Sequence, residues 1–181
     1  MKRILFALIL GAASLTRAAS IRWDDGDSRT GTVDPAVWTD LYPAITNAEV
    51  GTGTVGTVKL SGDFKRTKGN TADATLTIAS GWVNVSGGWS SDFLTQNGKS
   101  TLDLNGENSA NNQFRVLYIA GTNVVLSNLV VTGGYLHYGG GTGPGIAIGL
   151  GSSQSARGVV LSDLVISNNV TDHGFGSGGG G

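Results

Sequence analysis

Leu76-Thr77-Ile78-Ala79-Ser80-Gly81 returns 41 residues later as Leu117-Tyr118-Ile119-Ala120-Gly121-Thr122, and more weakly as Ile146-Ala147-Ile148-Gly149. A second apolar stretch follows each copy: Val83-Asn84-Val85-Ser86, Val124-Val125-Leu126-Ser127 and Val159-Val160-Leu161-Ser162. A third motif occurs as Thr57-Val58-Lys59-Leu60-Ser61-Gly62, Thr101-Leu102-Asp103-Leu104-Asn105-Gly106, Asn128-Leu129-Val130-Val131-Thr132-Gly133 and Asp163-Leu164-Val165-Ile166-Ser167-Asn168. Most copies place two apolar residues around one of freer chemistry. In an extended chain that alternation sends the flanking pair inward and the middle residue outward.

The third motif recurs at intervals of 44, 27 and 35 residues, from Val58 to Leu102, Leu129 and Leu164. A helical repeat would lose its buried face under such changes. Rungs of three short strands absorb them, because extra residues bulge out at a corner. The pattern therefore predicts an all-β chain, a right-handed parallel β-helix of about four three-strand rungs. Expected inward columns are Val58/Leu102/Leu129/Leu164 with Leu60/Leu104/Val131/Ile166, Leu76/Leu117/Ile146 with Ile78/Ile119/Ile148, and Val83/Val124/Val159 with Val85/Leu126/Leu161. Lys59, Asp103, Thr77, Tyr118 and Asn84 point outward, and serines 86, 127 and 162 align at a turn. An antiparallel sandwich also has short strands and glycine turns, but it does not require this strand order to recur.

Composition agrees. Thirty glycines among 181 residues, with 39% hydrophobic and 14% charged, suit many short strands joined by tight turns. A net charge of −1 leaves no electrostatic footprint for nucleic acid. Without cysteine, neither disulfides nor thiolate metal sites contribute.

The chain divides into three parts. Lys2 and Arg3, the apolar run Ile4–Leu15 and the small residues after it read as a signal peptide over 1–19. Cleavage after Ala18 puts Thr16 at the third position before the cut, which is better than the Arg17 that cleavage after Ala19 would put there. The apolar run is too short to span a bilayer, and the mature segment offers no transmembrane helix. Residues 20–50 form an N-terminal extension and cap, polar and extended over 20–33. Asp34 then reads as an N-cap and Pro35 as the first helical position. Trp38, Leu41, Ile45 and Ala48 lie at near-helical spacing, while Pro43 argues against one unbroken helix. Residues 51–181 form the β-helix. The closing Gly178–Gly181 resembles the glycine-rich approach to Ile146, so the reading expects a C-terminal truncation with further rungs missing.

Several segments carry a family resemblance: Leu76-Thr77-Ile78 through Gly87-Gly88-Trp89, Ser100-Thr101-Leu102-Asp103, Arg115-Val116-Leu117-Tyr118-Ile119 and Asn128-Leu129-Val130-Val131-Thr132-Gly133-Gly134. They resemble bacterial secreted and surface β-helix proteins of the pectin-lyase-like superfamily, including adhesin-like and autotransporter-passenger proteins. The resemblance covers roughly 35–181 and speaks to fold more than activity. It implies an exported bacterial-type protein, secreted or at the cell surface. The leading expectation is a non-enzymatic adhesion or structural passenger. The alternative is a polysaccharide lyase or glycoside hydrolase whose active site lies on missing rungs.

The search for chemistry returns no catalytic set, no metal site and no cofactor. The outward positions Lys59, Asp103, Val130 and Val165 include one carboxylate, whereas glycoside hydrolysis needs a pair. Asp24-Asp25-Gly26-Asp27 lacks the spacing and the later Glu of a calcium loop, and reads as a polar turn. The glycines at 139–145 lack the Lys-Ser/Thr of a phosphate loop. What remains is an edge where loops 62–73, 106–114, 133–145 and 168–181 emerge side by side. At the 35-residue offset His137 aligns with Asp172 and Tyr138 with His173. Aromatic rings beside charged groups suit sugar stacking and hydrogen bonding. Tyr135, His137, Tyr138, Asp172 and His173 are therefore the candidate contacts for a polysaccharide or cell-surface glycan. Phe64, Lys65, Arg66, Lys68, Asn111, Asn112 and Phe175 lie on the same loops, and the 86–100 insertion with Trp89 and Phe93 is expected to pack on a wall.

Overall fold

A computed structural model of the chain describes residues 18–49, 53–69, 74–107, 114–137, 143–149 and 156–172. Within them the chain is mostly β, with one helix. The strands are β1 (Ala19–Asp24), β2 (Thr30–Ala36), β3 (Gly56–Ser61), β4 (Phe64–Lys65), β5 (Leu76–Ile78), β6 (Gly81–Ser86), β7 (Ser100–Asp103) and β8 (Leu117–Ile119). They continue as β9 (Thr122–Ser127), β10 (Leu129–Thr132), β11 (Tyr135–His137), β12 (Ile146–Ile148), β13 (Val160–Ser162), β14 (Val165–Ser167) and β15 (Val170–Asp172). The helix α1 spans Trp38–Ala48.

Four sheets result, ordered β13-β9-β6-β3-β1-β2, β14-β10-β7-β4, β12-β8-β5 and β11-β15. From β3 onward every pairing between these strands is parallel, and each joins strands well separated in sequence. The largest sheet is mixed. β1 pairs antiparallel with both β2 and β3, so the extended 20–33 segment is a hairpin that continues this sheet.

The register fulfils two expected column pairs and corrects the third. Leu76 lies beside Leu117 and Leu117 beside Ile146, with Ile78, Ile119 and Ile148 following in step. Val83 pairs with Val124, Val85 with Leu126, and Leu126 with Leu161. The serines 86, 127 and 162 share one register. Val58, however, pairs with Val85 and not Leu102, so β3 belongs to the largest sheet. The place beside Leu102 is taken by Phe64 of β4, a segment read from sequence as loop. Leu102 also pairs with Val131, two residues beyond the expected Leu129. A two-residue slip leaves the faces unchanged, because side-chain direction repeats every two residues. Val58, Leu60, Phe64, Leu102, Leu104, Leu129 and Val131 accordingly remain in the core.

Burial thins toward the far strands. Val160, Leu161, Val165, Val170 and Ile148 are exposed, although Leu161 and Ile148 continue inward columns. The corners show why glycine is frequent. Gly81 has φ +87°, and a Cβ there would lie 2.0 Å from the Thr122 carbonyl oxygen.

The helix also departs from expectation. Asp34 and Pro35 belong to β2, joined by a cis peptide bond, and the helix begins at Trp38 with Val37 as its N-cap. Asp40 caps it by accepting the Val37 N–H at 2.8 Å. Pro43 lies inside the helix without interrupting it. It falls on the exposed side next to Tyr42, early enough that its missing N–H frees only a carbonyl of the first turn. The opposite side buries Trp38, Leu41, Ala44, Ile45 and Ala48 over β1, β3 and β5. Glu49, just past the helix, accepts the N–H groups of Ser80 and Gly81 at 2.9 and 3.0 Å. A carboxylate that accepts two backbone N–H groups in this way pins helix to corner without a covalent link.

The corrected register has a direct test in a chain that lacks cysteine. Thr57 and Asn84 are registered neighbours on adjacent strands, a separation of about 4.8 Å for paired strands. Thr57→Cys/Asn84→Cys is expected to form a disulfide on mild oxidation, detected by a gel-mobility shift. Thr57→Cys/Thr101→Cys, the pair required by the other alignment, is expected to stay reduced.

Candidate functional site

The candidate edge read from the sequence lies where β11 and β15 run parallel. Tyr135 pairs with Val170, Leu136 with Thr171, and His137 with Asp172. The loops expected at 133–145 and 168–181 thus contain strands, and the 35-residue offset is their register. The corner that delivers these strands is tightly tied. Asn169 donates from Nδ2 to the Val131 carbonyl at 3.0 Å, and its Oδ1 accepts the Gly134 N–H at 2.9 Å. The Val170 N–H reaches the Gly134 carbonyl, and the Tyr135 N–H reaches that of Phe114. One asparagine side chain therefore holds both strands in step.

On this platform the Tyr135 hydroxyl donates to Asp172 Oδ2. The two residues are diagonal neighbours across the strand pair, within reach of a long side chain. Burial, the hydrogen bond to Asp172 and that carboxylate's charge together push the Tyr135 phenol up to about 12. Of the five sequence candidates, Tyr135 and Asp172 are in contact and His137 shares backbone register with Asp172. Tyr138 and His173 lie outside the described residues, as do Asn111, Asn112 and Phe175.

The neighbouring loop residues take other places. Phe64 is a core residue of β4 at 1% exposure. Lys65 pairs with Asp103 at 3.2 Å and Lys68 with Glu107 at 2.5 Å. Arg66 is buried at 2% exposure, its guanidinium carbon 5.2 Å from the Phe114 ring centre. In the 86–100 insertion Phe93 is buried while Leu94 is exposed, and the half-buried Trp89 bonds Ser86 and carries Lys59 Nζ 3.9 Å from its ring centre.

Asp25 belongs to the tip of the β1–β2 hairpin. Its Oδ1 accepts the N–H groups of Asp27, Ser28 and Arg29, and its Oδ2 meets Arg29 Nε at 2.5 Å. The Arg29 side chain first, then the backbone donors, hold this carboxyl well below the usual carboxylate range. That set of bonds accounts for the acidic cluster at 24–27 as turn chemistry.

The same holds more widely. Among the described residues every acidic side chain accepts a hydrogen bond or meets a cation, from Asp24, Asp34 and Asp63 to Asp92 and Asp163. Sequence reasoning missed the Tyr135–Asp172 contact, because column alignment pairs residues directly opposite and this pair is diagonal. It also missed the surroundings of Arg66, because a two-residue strand shows no alternation.

The chain matches no family model, no curated protein and no solved structure.

The Tyr135–Asp172 pair predicts a titration. Tyr135 starts above the ordinary tyrosine value of about 10, so its contribution to stability is complete below pH 10 and is lost as pH rises through its folded value. Ultraviolet titration should show the Tyr135 phenol ionising late, near 12. Asp172→Asn should bring that step down toward 10. A Tyr135 phenol that ionises near 10 in the parent chain would show that the pair does not form.

Proposed function

We propose that this chain is an exported right-handed parallel β-helix, secreted or held at the cell surface, that acts as a non-enzymatic adhesion or structural scaffold and contacts glycans along its β11–β15 edge. The observation that carries the reading is the recurring visit to the same parallel ladders, with one strand pair among them presenting Tyr135 and Asp172 together. A solenoid with three-strand turns would generate such ladders directly, and would set loops from successive turns side by side as an extended contact surface. Polar aromatic groups on that surface fit sugars, whose ring faces stack and whose hydroxyls both donate and accept hydrogen bonds. The engagement of the acidic side chains in turns and joints supports a scaffold over a hydrolase.

Export is supported by the basic-apolar-small order of residues 1–19, of which 1–17 lie outside the described residues. The cut after Ala18 fits the fold: Ala19 opens β1, is buried, and pairs with Ala36. In a secreting bacterial host the mature protein is expected to begin at Ala19, read by N-terminal sequencing. A mature chain that retains Met1 would remove the export reading.

The glycan reading is tested on an array of bacterial and host polysaccharides with the purified chain. Binding is expected, with an affinity loss of about tenfold in Tyr138→Ala and in Asp172→Asn, the scale of one charge-assisted hydrogen bond or one stacked ring. No shortening of the bound polysaccharide should follow on prolonged incubation. Absence of binding, or binding indifferent to both substitutions, would overturn the proposal, and release of unsaturated or reducing ends would replace it with an enzyme.

A further inference from the structure

The sequence holds two Asn-Gly pairs, Asn97-Gly98 and Asn105-Gly106, and the fold treats them in opposite ways. A glycine after asparagine has no Cβ to obstruct its amide nitrogen, which can then close a cyclic imide on the preceding side-chain carbonyl. Asn105-Gly106 is held against that reaction. Asn105 Nδ2 donates to the Arg66 carbonyl at 3.2 Å, and the Gly106 N–H donates to the Gly133 carbonyl at 2.7 Å, so both reacting groups are engaged. Asn97-Gly98 lies in the exposed last part of the 86–100 insertion. Its anchors sit just outside the reacting atoms. The Asn97 N–H donates to the Gly88 carbonyl at 2.7 Å, and the Gly88 N–H donates to Ser100 Oγ at 3.0 Å. Among the described residues neither the Asn97 side chain nor the Gly98 N–H makes a hydrogen bond. A Cβ built at Gly98 would meet nothing within 4 Å beyond its chain neighbours, so the space around this amide is open to water.

We propose that Asn97 is a self-modification site, converted without an enzyme to aspartate and isoaspartate while Asn105 stays intact. The Gly98 nitrogen loses its proton and attacks Asn97 Cγ. A new N–C bond forms, the Cγ–Nδ2 bond breaks, and Nδ2 takes up the proton and leaves as ammonia. Water then opens the cyclic imide at either of its carbonyls. Opening at Cγ gives aspartate on the original backbone. Opening at the Asn97 backbone carbonyl sends the chain through Cγ and gives isoaspartate, with an extra methylene in the backbone. Either product adds a negative charge to the segment whose Lys99 donates from Nζ to the Asp163 carbonyl at 2.5 Å. The extra methylene of isoaspartate falls between the two anchors on Gly88.

The test is peptide mapping by mass spectrometry of the folded chain held at mildly alkaline pH, with aspartate and isoaspartate peptides separated and quantified. Asn97 is expected to convert at least about tenfold faster than Asn105, the scale of the two hydrogen bonds that the second site must break first. Both products are expected at position 97. The rate is expected to rise with pH, because the attacking nitrogen must lose its proton. The same chain unfolded in guanidinium chloride is expected to convert both sites at similar rates, which assigns the difference to the fold. An unconverted Asn97, aspartate as its only product, or a rate that falls as pH rises would each overturn the proposal. So would equal rates at the two sites in the folded chain, or a slow Asn105 that persists on unfolding.

Discussion

Strands that hydrogen-bond to partners 27 to 41 residues away impose a demand that the remainder of the described chain accommodates. Between paired strands the backbone has to return to the same ladder in register. Left-handed backbone at single residues is how the corners are made. Gly62, Asn128 and Asp163 adopt it after β3, β9 and β13, and Asn105, Gly133 and Asn168 adopt it after β7, β10 and β14. Away from glycine, asparagine and aspartate bear that conformation best, because their short polar side chains bond locally. Asn105 also donates to the Arg66 carbonyl at 3.2 Å, and Asn169, next to Asn168, donates to the Val131 carbonyl at 3.0 Å. Corner residues therefore do the joining that side-chain packing cannot do from within the walls.

The same demand leaves an edge at β3, and the N-terminal segment is fitted to it. A parallel ladder that simply stopped would present unpaired N–H and C=O groups, which invite association with other chains. β1 closes the ladder from the antiparallel direction, β2 follows, and α1 lies across the end with its apolar side down. Closeness at this junction is considerable. A Cβ on Gly56 would fall 1.8 Å from the Ala48 carbonyl oxygen, so the end of the helix and the start of β3 are compatible only with glycine. Glu49 then reaches the Ser80–Gly81 corner, so that helix, first strand and first corner form one unit.

What could be read from the sequence follows from the physics of these elements. Alternation marks the buried side of a strand, so Leu76, Ile78, Val83, Val85, Leu102 and Leu126 were all identifiable as core. Alternation is silent about slips of two residues, so it sets Leu102 beside Leu129 where the chain pairs it with Val131, and it is silent about which sheet a strand joins, so it does not reveal that β3 pairs with β6. The Asp34-Pro35 pair carries a helix-start signal in its residue types, yet pairing with β1 keeps this stretch extended until Val37. At the candidate site the 35-residue offset foretold the alignment of His137 with Asp172. It could not foretell that Tyr135 would reach Asp172 diagonally, since that depends on the length of the phenol and not on any period. Phe64 and Arg66 were hidden for a further reason: a strand of two residues has no pattern to display.

The distribution of charge bears on what surfaces of this kind can do. Acidic groups at turns serve the backbone, as Asp25 does with three N–H groups and Arg29, and Asp63 does with the Thr101 N–H at 2.8 Å. The Asp25 carboxylate is a poor general base, because the hydrogen bonds to its charged form lower its proton affinity. Tyr135 and Asp172 differ in kind: the phenol is held protonated and the carboxylate is held in place, so the pair offers orientation without proton transfer near neutral pH. Groups already fixed by Asn169 and by the strand register would lose little freedom on meeting a ligand, and that saving favours weak polar contacts repeated along an edge. Recognition spread over such an edge depends on the spacing of the strands, which the ladders hold near 4.8 Å, more than on any one side chain.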